Sequence, residues 1–358
     1  MRAARLAPAE LAKTVPADLV GAVLLEAVRM GGTSLPKGAR LDRDSAVRLV
    51  AAASDGSLAR PAKVAWPGPD DVHEDDAASR LALAVGGAGV ELRPMRQSRL
   101  DLAATWDGVL HLRTDSLRRL NAIDPLEVFT LFHGQAVERG QVVASVKVAP
   151  HLLPAAALVE GLLVAKGEGP IVEVRPYQPL TVAAIAVQAI APDALARFEE
   201  GARRKVEALG STFDGTMVVA DADPATAEAG VHDALERLVR QRRLPVLLVG
   251  GVSAGDPIAP FYSAFARMGG IVLRRGVPAH PGSMIWLAGL DRTQILGLPQ
   301  CGMFSLATAA DLVLPRLLTG EVLSAESLAD LAHGGLLGKE MRFRMPRYAR
   351  ELPAPEEA

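Results

Sequence analysis

Two glycine-rich loops are the places where this chain could hold an anion. They are Gly250-Gly251-Val252-Ser253-Ala254-Gly255-Asp256 and Gly297-Leu298-Pro299-Gln300-Cys301-Gly302. Glycines let a backbone approach a ligand closely, Ser253 offers a hydroxyl, and amides at the start of a following helix attract negative charge. Taken alone, each loop is explained equally well as a tight turn, and neither matches the Walker or the dinucleotide-binding fingerprint. Two such loops in one α/β unit favour a phosphate-bearing ligand.

A few side chains in or near these loops could add chemistry, and each has a plainer explanation. Asp256 could bind Mg²⁺ or cap the helix that follows it. His280 could contact a phosphate or be incidental, and Cys301 could be a reactive thiolate or a small buried apolar residue. Arg274 and Arg275, at the end of a predicted strand, could bind a phosphate or face solvent. The sequence alone leaves these alternatives open.

The elements around the loops form a regular β–α alternation from residue 180 onward. The predicted strands are 181–188, 216–220, 245–249, 271–273, 284–287 and 294–298, and the predicted helices are 193–209, 225–240, 261–268 and one from about 303. Alternating short strands and amphipathic helices predict a three-layer α/β/α sandwich on a mostly parallel sheet. In such sheets ligands bind beyond the carboxyl ends of the strands, which is where both loops stand.

The preceding half of the chain is less regular. Helices are predicted over 73–85, 116–123 and 152–168, and strands over 108–112 and 142–148. We therefore expect a mixed α+β N-terminal region over 1–175 with a break near 60–70, an α/β domain over 176–322 and a C-terminal tail over 323–358.

Composition excludes several classes of protein. Of the 358 residues, 49% are hydrophobic and 22% charged, which excludes global disorder, while only 4% are aromatic, which argues against a base-stacking platform. The 39 basic and 41 acidic residues give no basic footprint for nucleic acid or an anionic membrane surface. A single cysteine excludes an intramolecular disulfide framework, and no histidine spacing suggests zinc. The longest apolar stretches are too short to span a bilayer and no leader is recognisable, so we expect a cytoplasmic protein.

The order of the motifs resembles a known family. The sequence Gly250-Gly251-Val252-Ser253-x-Gly255 is followed by Gly269, Pro281-Gly282, Gly297-Leu298-Pro299 and Leu314-Pro315. Over about residues 180–320 this pattern resembles the MoaB/Mog-type molybdopterin-binding domain, especially that of gephyrin-type molybdopterin molybdenumtransferases.

Motifs in the first half of the chain extend the resemblance. They are Asp71-Val72-x-Glu74-Asp75, Leu120-Asn121-Ala122-Ile123-Asp124 and the stretch 140–148. These are similar to the molybdopterin-binding half of bacterial fusions with a molybdenum cofactor nucleotidyltransferase. The nucleotidyltransferase motif Leu-Ala-Ala-Gly-x-Ser-x-Arg-Met-Gly does not occur in this sequence.

The resemblance implies a set of site residues. Asp256 would be the catalytic and Mg²⁺-binding carboxylate, and the ligand would be bound by Gly250, Gly251, Val252, Ser253, Gly255, His280, Pro281, Gly282, Ser283, Gly297, Leu298, Pro299 and Cys301. The chain departs from the family pattern where chemistry needs carboxylates or cations. Ile258 replaces an aspartate, Ser283 and His280 replace lysines, Cys301 replaces an asparagine, and 187–190 lack the usual Thr-Gly-Asp/Asn-Glu.

These observations predict a molybdopterin- or molybdenum-cofactor-binding protein of cofactor biosynthesis or delivery. One alternative is an active molybdopterin molybdenumtransferase that inserts molybdate with Mg²⁺ and releases AMP. Another is a non-catalytic carrier or scaffold for a molybdoenzyme. The expected partners are the pterin cofactor, a separate molybdenum cofactor nucleotidyltransferase or a client molybdoenzyme, and a second copy of the chain in a homodimer.

Overall fold

The structure is a computed structural model that describes residues 1–187, 191–220, 223–298 and 307–352. The strands are β1 (Arg2–Leu6), β2 (Val23–Leu24), β3 (Val28–Met30), β4 (Thr33–Leu35), β5 (Ala62–Trp66), β6 (Asp71–His73), β7 (Val90–Leu92), β8 (Arg99–Ala104), β9 (Gly108–Leu112), β10 (Leu126–Thr130), β11 (Ala136–Val137), β12 (Val142–Val148), β13 (Leu152–Pro154), β14 (Val172–Pro176), β15 (Thr181–Val187), β16 (Thr212–Val219), β17 (Val246–Gly250), β18 (Ile271–Arg275), β19 (Trp286–Leu290) and β20 (Thr293–Leu298).

The α-helices are α1 (Pro8–Leu11), α2 (Arg43–Ser54), α3 (Glu74–Val85), α4 (Thr114–Asn121), α5 (Ala155–Lys166), α6 (Pro192–Glu207), α7 (Pro224–Leu235), α8 (Pro260–Arg267), α9 (Ala310–Leu317), α10 (Ala325–Ala329) and α11 (Arg347–Arg350). Short 3₁₀ turns cover Pro16–Leu19, Asp330–Ala332 and Lys339–Arg344, and a π-helical turn over Glu236–Gln241 extends α7. Within the described residues, no helix has the length and apolarity that a bilayer span requires.

The chain folds into two compact units and passes between them more than once. The first contains Met1–Thr105, Leu112–Leu131 and Gly140–Glu173, and the second contains Trp106–His111, Phe132–Arg139 and Val174–Ala358. The units are therefore not continuous segments, because two short pieces of the first half belong with the second. The boundaries predicted at 175 and 322 stay predictions about independently folding domains.

The first unit consists of small sheets and the helices packed on them. Its sheets have the orders β1-β5-β2, β10-β12-β8-β7, β13-β6 and β3-β4, with antiparallel neighbours. Asp42 caps α2 by accepting from the Ser45 amide at 2.8 Å, and α2 buries Ala46 and Leu49 in one core of this unit. Val146 and Val148 of β12 are buried, as the alternating pattern predicts, but Val142 is exposed because the register with β8 shifts between Val142 and Ala144.

A six-stranded sheet organises the second unit and confirms the predicted α/β fold. Its order is β16-β15-β17-β20-β19-β18. The first four strands are mutually parallel, while β19 and β18 are antiparallel to their neighbours. Both faces of β17 are buried, which is why its sequence is continuously apolar rather than alternating.

Helices cover the two faces of this sheet. Alternate strand residues point to opposite faces, so Val182 and Ala184 share one core with α6 and α9. Ala183 and Ile185 share the other core with α7 and α8.

The segment 323–352 differs from the expected C-terminal tail. It contains α10, two 3₁₀ turns and α11, and it places Leu328, Leu331, Met345 and Ala349 in the core beside α6 and α9. These residues are at most 3% exposed, and burial of that apolar surface favours the folded segment over a solvated tail. Residues 353–358 lie outside the described part of the chain.

Candidate functional site

The parallel strands place the first glycine-rich loop and the first two residues of the second, Gly297 and Leu298, at one edge of the sheet. In β17, Gly250 is in register with Ala186 of β15 on one side and with Leu298 of β20 on the other. The strands β15, β17 and β20 therefore end next to one another. The loop 250–256 starts at this edge, and the chain leaves β20 for residue 299 at the same edge.

The backbone of the 250–256 loop is held from behind by two aromatic side chains. Trp286 Nε1 donates to the Val252 carbonyl at 3.0 Å, and the Tyr262 hydroxyl donates to the Ser253 carbonyl at 3.2 Å. Gly251 has a φ of +82°, in the left-handed region that favours glycine. The Val252 and Ser253 carbonyls are thus turned toward the protein, so the Ser253 and Ala254 amides, which share those two trans peptide planes, point to the other side.

The amide groups that follow Gly251 are available to a ligand. Those of Val252, Ser253 and Ala254 donate to no acceptor within 1–187, 191–220, 223–298 and 307–352. The Ser253 hydroxyl oxygen accepts from the Gly255 amide at 3.1 Å, which leaves its proton free to donate outward. Successive amides in such a turn form a concave anion-binding surface.

Asp256 lies at the exposed end of this loop. Its Oδ1 accepts from the Ile258 amide at 3.2 Å and closes a local turn. Helix capping, one of the two alternatives left open for Asp256, is not observed, because α8 begins at Pro260 and its N-cap is Ala259. Proline is favourable at the first helical position, which Pro260 occupies in α8.

The donor set around Asp256 does not fit a Mg²⁺ site. Among the described residues, no group of three or more His, Cys, Asp and Glu side chains is placed to hold a metal ion. Asp256 has one carboxylate oxygen committed to the turn, and Ile258 brings no second carboxylate. Mg²⁺ demands near-octahedral oxygen ligands, which the described residues around Asp256 do not supply.

The segment 280–284 lies beside the first loop. The Met284 Cε lies 3.6 Å from the position that a Cβ on Gly255 would take. His280 is exposed and joined to Pro281 by a cis peptide bond. Its backbone pairs with the C-terminal segment, since His280 N donates to the Gly335 carbonyl at 2.8 Å and Leu337 N donates to the His280 carbonyl at 2.7 Å. The C-terminal segment 323–352 therefore holds the backbone of His280, a residue of the predicted site, through two hydrogen bonds.

Residues 307–309 approach the same segment. Ala309 N donates to the Pro281 carbonyl at 2.8 Å, and a Cβ on Gly282 would lie 2.7 Å from that amide nitrogen. Gly282 also has a φ of +106°, so a side chain here is excluded both by contact and by conformation. Ser283 is half-buried, and its carbonyl accepts from Val277 N at 2.9 Å.

The structure gives the second loop a different explanation at its start. Gly297 is in register with Trp286, and a Cβ on Gly297 would overlap the indole ring. Gly297 is therefore required by the packing of Trp286, and Leu298 is buried at the end of β20. Pro299 and Cys301 lie outside the described residues, so their predicted contacts stay predictions.

Sequence reasoning missed the residues that support the site from within. Buried Asp311 accepts from Lys205 Nζ at 2.5 Å, from the Tyr348 hydroxyl at 3.0 Å and from the Thr308 amide at 2.9 Å. This carboxylate thereby anchors the chain just before Ala309. The available signal was an acidic residue and a lysine within otherwise apolar helix faces, because buried charges are rarely tolerated without partners.

Tyr262 was also missed. Burial, with the nearby Asp256 charge, raises the pKa of its phenol to about 12, so it remains a hydrogen-bond donor at neutral pH. Aromatic residues are scarce in this chain, and the position of Tyr262 one turn into the helix after the loop was the available signal.

The two arginines at the end of β18 have different surroundings. Arg274 is half-buried and donates to the carbonyls of Gly276 at 2.9 Å and Ala325 at 3.2 Å. Arg275 is exposed, and its guanidinium carbon lies 5.0 Å from the centroid of the Tyr262 ring.

Comparison with known proteins gives structural likeness at low similarity. No family model matches the sequence, and no curated protein matches it. Among solved structures, the molybdopterin biosynthesis MoeA protein from Pyrococcus horikosii is 14% identical, with 72% of this chain and 80% of that chain covered and a TM-score of 0.29. The molybdopterin biosynthesis enzyme MoaB from Thermus thermophilus is 16% identical, with 40% of this chain and 98% of that chain covered and a TM-score of 0.27.

Proposed function

We propose that this chain binds the phosphate of a molybdopterin or of the molybdenum cofactor at the sheet edge where β15, β17 and β20 end. In this proposal the second unit is a MoaB/Mog-like three-layer α/β/α domain. The observation that carries the proposal is the row of amides at Val252, Ser253 and Ala254, which have no acceptor within the described residues. Backbone amides at the carboxyl edge of a parallel sheet are a common way to hold a phosphate.

The chain's own residues would bind and orient the ligand. Gly251 adopts the left-handed conformation at the start of the loop, the Ser253 and Ala254 amides point away from Trp286 and Tyr262, and the Ser253 hydroxyl adds a donor. Trp286 and Tyr262 hold the loop in this conformation through its carbonyls, so little ordering entropy is lost on binding. The segment from His280 to Ser283 forms the neighbouring wall.

Cofactor biosynthesis or delivery is the role that we propose for this binding. The motif order in the sequence supports it, while the isolated Asp256 gives less support to the alternative of an active molybdenumtransferase. That alternative predicts molybdate-dependent AMP release that disappears in Asp256→Ala. The carrier alternative, the cytoplasmic location, a homodimer and a nucleotidyltransferase or molybdoenzyme partner stay proposals with it.

The test is the pterin content of the purified full-length protein. The protein is expressed in a host that makes molybdopterin and, as a control, in a host that does not. Acid–iodine oxidation converts the bound pterin to a fluorescent product that can be quantified against protein. We expect a stoichiometric signal from the first host only. Absence of pterin in both preparations, with no uptake of added molybdopterin, would overturn the proposal.

A further inference from the structure

Arg275 is held next to the candidate phosphate loop by one intervening side chain. Its guanidinium lies over the Tyr262 ring, and the Tyr262 hydroxyl donates to the Ser253 carbonyl at 3.2 Å. A cation over an aromatic face gains attraction from the ring, which restricts an otherwise flexible arginine. The charge is therefore held over Tyr262, the side chain whose hydroxyl contacts the loop.

This guanidinium has no acidic partner. No carboxylate lies within 4.0 Å of Arg275 in the described parts of the chain, whereas Arg267 of the preceding helix pairs with Glu228. Neighbouring Arg274 is used structurally through two backbone carbonyls. Arg275 thus retains both its charge and its fork of donors, which suit a phosphate.

The strand pairing places Arg275 at the correct edge of the sheet. Arg275 is in register with Trp286, and Trp286 is in register with Gly297 near the end of β20. Val277 N donates to the Ser283 carbonyl at 2.9 Å, so the segment after Arg275 runs beside Ser283. Asp256 brings a negative charge to this side of the loop, and a nearby cation is needed there to offset its repulsion of an anion.

We infer that Arg275 is the specificity-determining side chain for a phosphomonoester, and that it makes the site prefer phosphorylated over unphosphorylated pterins. The inference rests on the proposed function, since it assigns one residue of that site. The backbone amides hold the phosphate by hydrogen bonds, and Arg275 adds the charge that the loop itself lacks. A dianionic phosphate gains most from that charge, whereas a neutral alcohol at the same position gains little.

The experiment compares two forms of one probe with matched variants. The probe is the oxidised, fluorescent derivative of molybdopterin, used with its phosphate and after phosphatase treatment. It is titrated into the full-length protein, into Arg275→Gln and into Arg275→Lys. The matched control is Arg292→Gln, which removes an exposed arginine at the β19–β20 turn, at the opposite end of β19 from Trp286.

We expect Arg275→Gln to weaken binding of the phosphorylated probe by about tenfold or more, the usual size of a charge-assisted hydrogen bond, with the dephosphorylated probe unchanged. Arg275→Lys should restore part of the loss, and Arg292→Gln should behave as the unsubstituted protein. Equal binding of the phosphorylated probe by Arg275→Gln would overturn this inference and leave the proposed function standing. An equal loss for both probes would show that Arg275 only supports the loop and would also overturn it. If the unsubstituted protein binds neither form of the probe but carries pterin in the acid–iodine assay, this inference is wrong and the proposed function stands. If it also carries no pterin and takes up no molybdopterin, both are wrong.

Discussion

Replacement of Gly251 by valine tests whether pterin binding depends on the conformation of the 250–256 loop, independently of the stability of the fold. Gly251 has a φ of +82°, and a residue with a Cβ pays about 1–2 kcal/mol for that conformation, with a β-branched side chain at the upper end. A chain that keeps the loop loses that much stability. A chain that rotates residue 251 instead turns away the amides of Val252, Ser253 and Ala254, so pterin binding should fall by at least about tenfold for a strain of that size.

The assay measures pterin content per protein together with thermal unfolding. Gly210→Ala is the matched control, because Gly210 has a φ of +77° in the same unit and a Cβ there would meet no atom within 4 Å. Both variants should lower the unfolding temperature by a few degrees, and only Gly251→Val should lose the pterin. Retention of a stoichiometric pterin in Gly251→Val would refute the assignment of this loop as the binding surface.

Two further predictions concern stability. Gly297→Ala should destabilise the protein by about 1–3 kcal/mol, because the new methyl group overlaps the buried Trp286 ring. In urea unfolding, the double variant with Trp286→Phe should lose less free energy of unfolding than the two single variants lose together, and strict additivity would contradict the contact. Burial lowers the pKa of His111 to about 3. Below about pH 6.5 the His111 side chain therefore becomes protonated in the unfolded chain, whereas in the folded chain it stays neutral down to about pH 3. The free energy of unfolding should therefore fall as the pH is lowered from 6.5 to 3, with His111 contributing up to about 1.4 kcal/mol per pH unit. In His111→Gln the urea midpoint should depend less on pH over this range. An unchanged pH dependence would show that other groups cause the loss of stability.

The alternation of short strands and helices was sufficient to predict the α/β fold of the second unit. Strand β20 was predicted as 294–298 and found as Thr293–Leu298. The agreement is close because the apolar side chains of this segment become buried when it pairs with β17. The C-terminal segment was misjudged because its apolar residues are separated by charged ones at no fixed period. Their burial depends on α6 and α9, which are distant in sequence, and local pattern does not report such contacts.

From the sequence, only the backbone loop of the candidate site could be predicted, and not the side chains that hold it. Glycine-rich turns after strands are local signals, so the 250–256 loop could be found by inspection. The side chains that hold the loop, Tyr262 and Trp286, come from two other elements and act through hydrogen bonds to carbonyls, which leave no spacing in the sequence. For Gly297 the sequence prediction assigned a ligand-binding role, whereas the structure explains this glycine by the close packing of the Trp286 ring.

A site made from backbone amides responds to substitution differently from a catalytic one. The amides of Val252, Ser253 and Ala254 keep their positions whatever side chains surround them, as long as Gly251 and the two aromatic donors remain. Transfer chemistry on an oxyanion instead depends on particular carboxylates and cations, and the loss of one electrostatic donor lowers the rate by about 10²–10³-fold. In the family pattern that the sequence resembles, a lysine and an aspartate stand where this chain has Ser283 and Ile258, and the proposed phosphate surface depends on neither. That asymmetry is the physical reason for proposing binding before catalysis, and it makes Arg275 the side chain on which ligand choice depends.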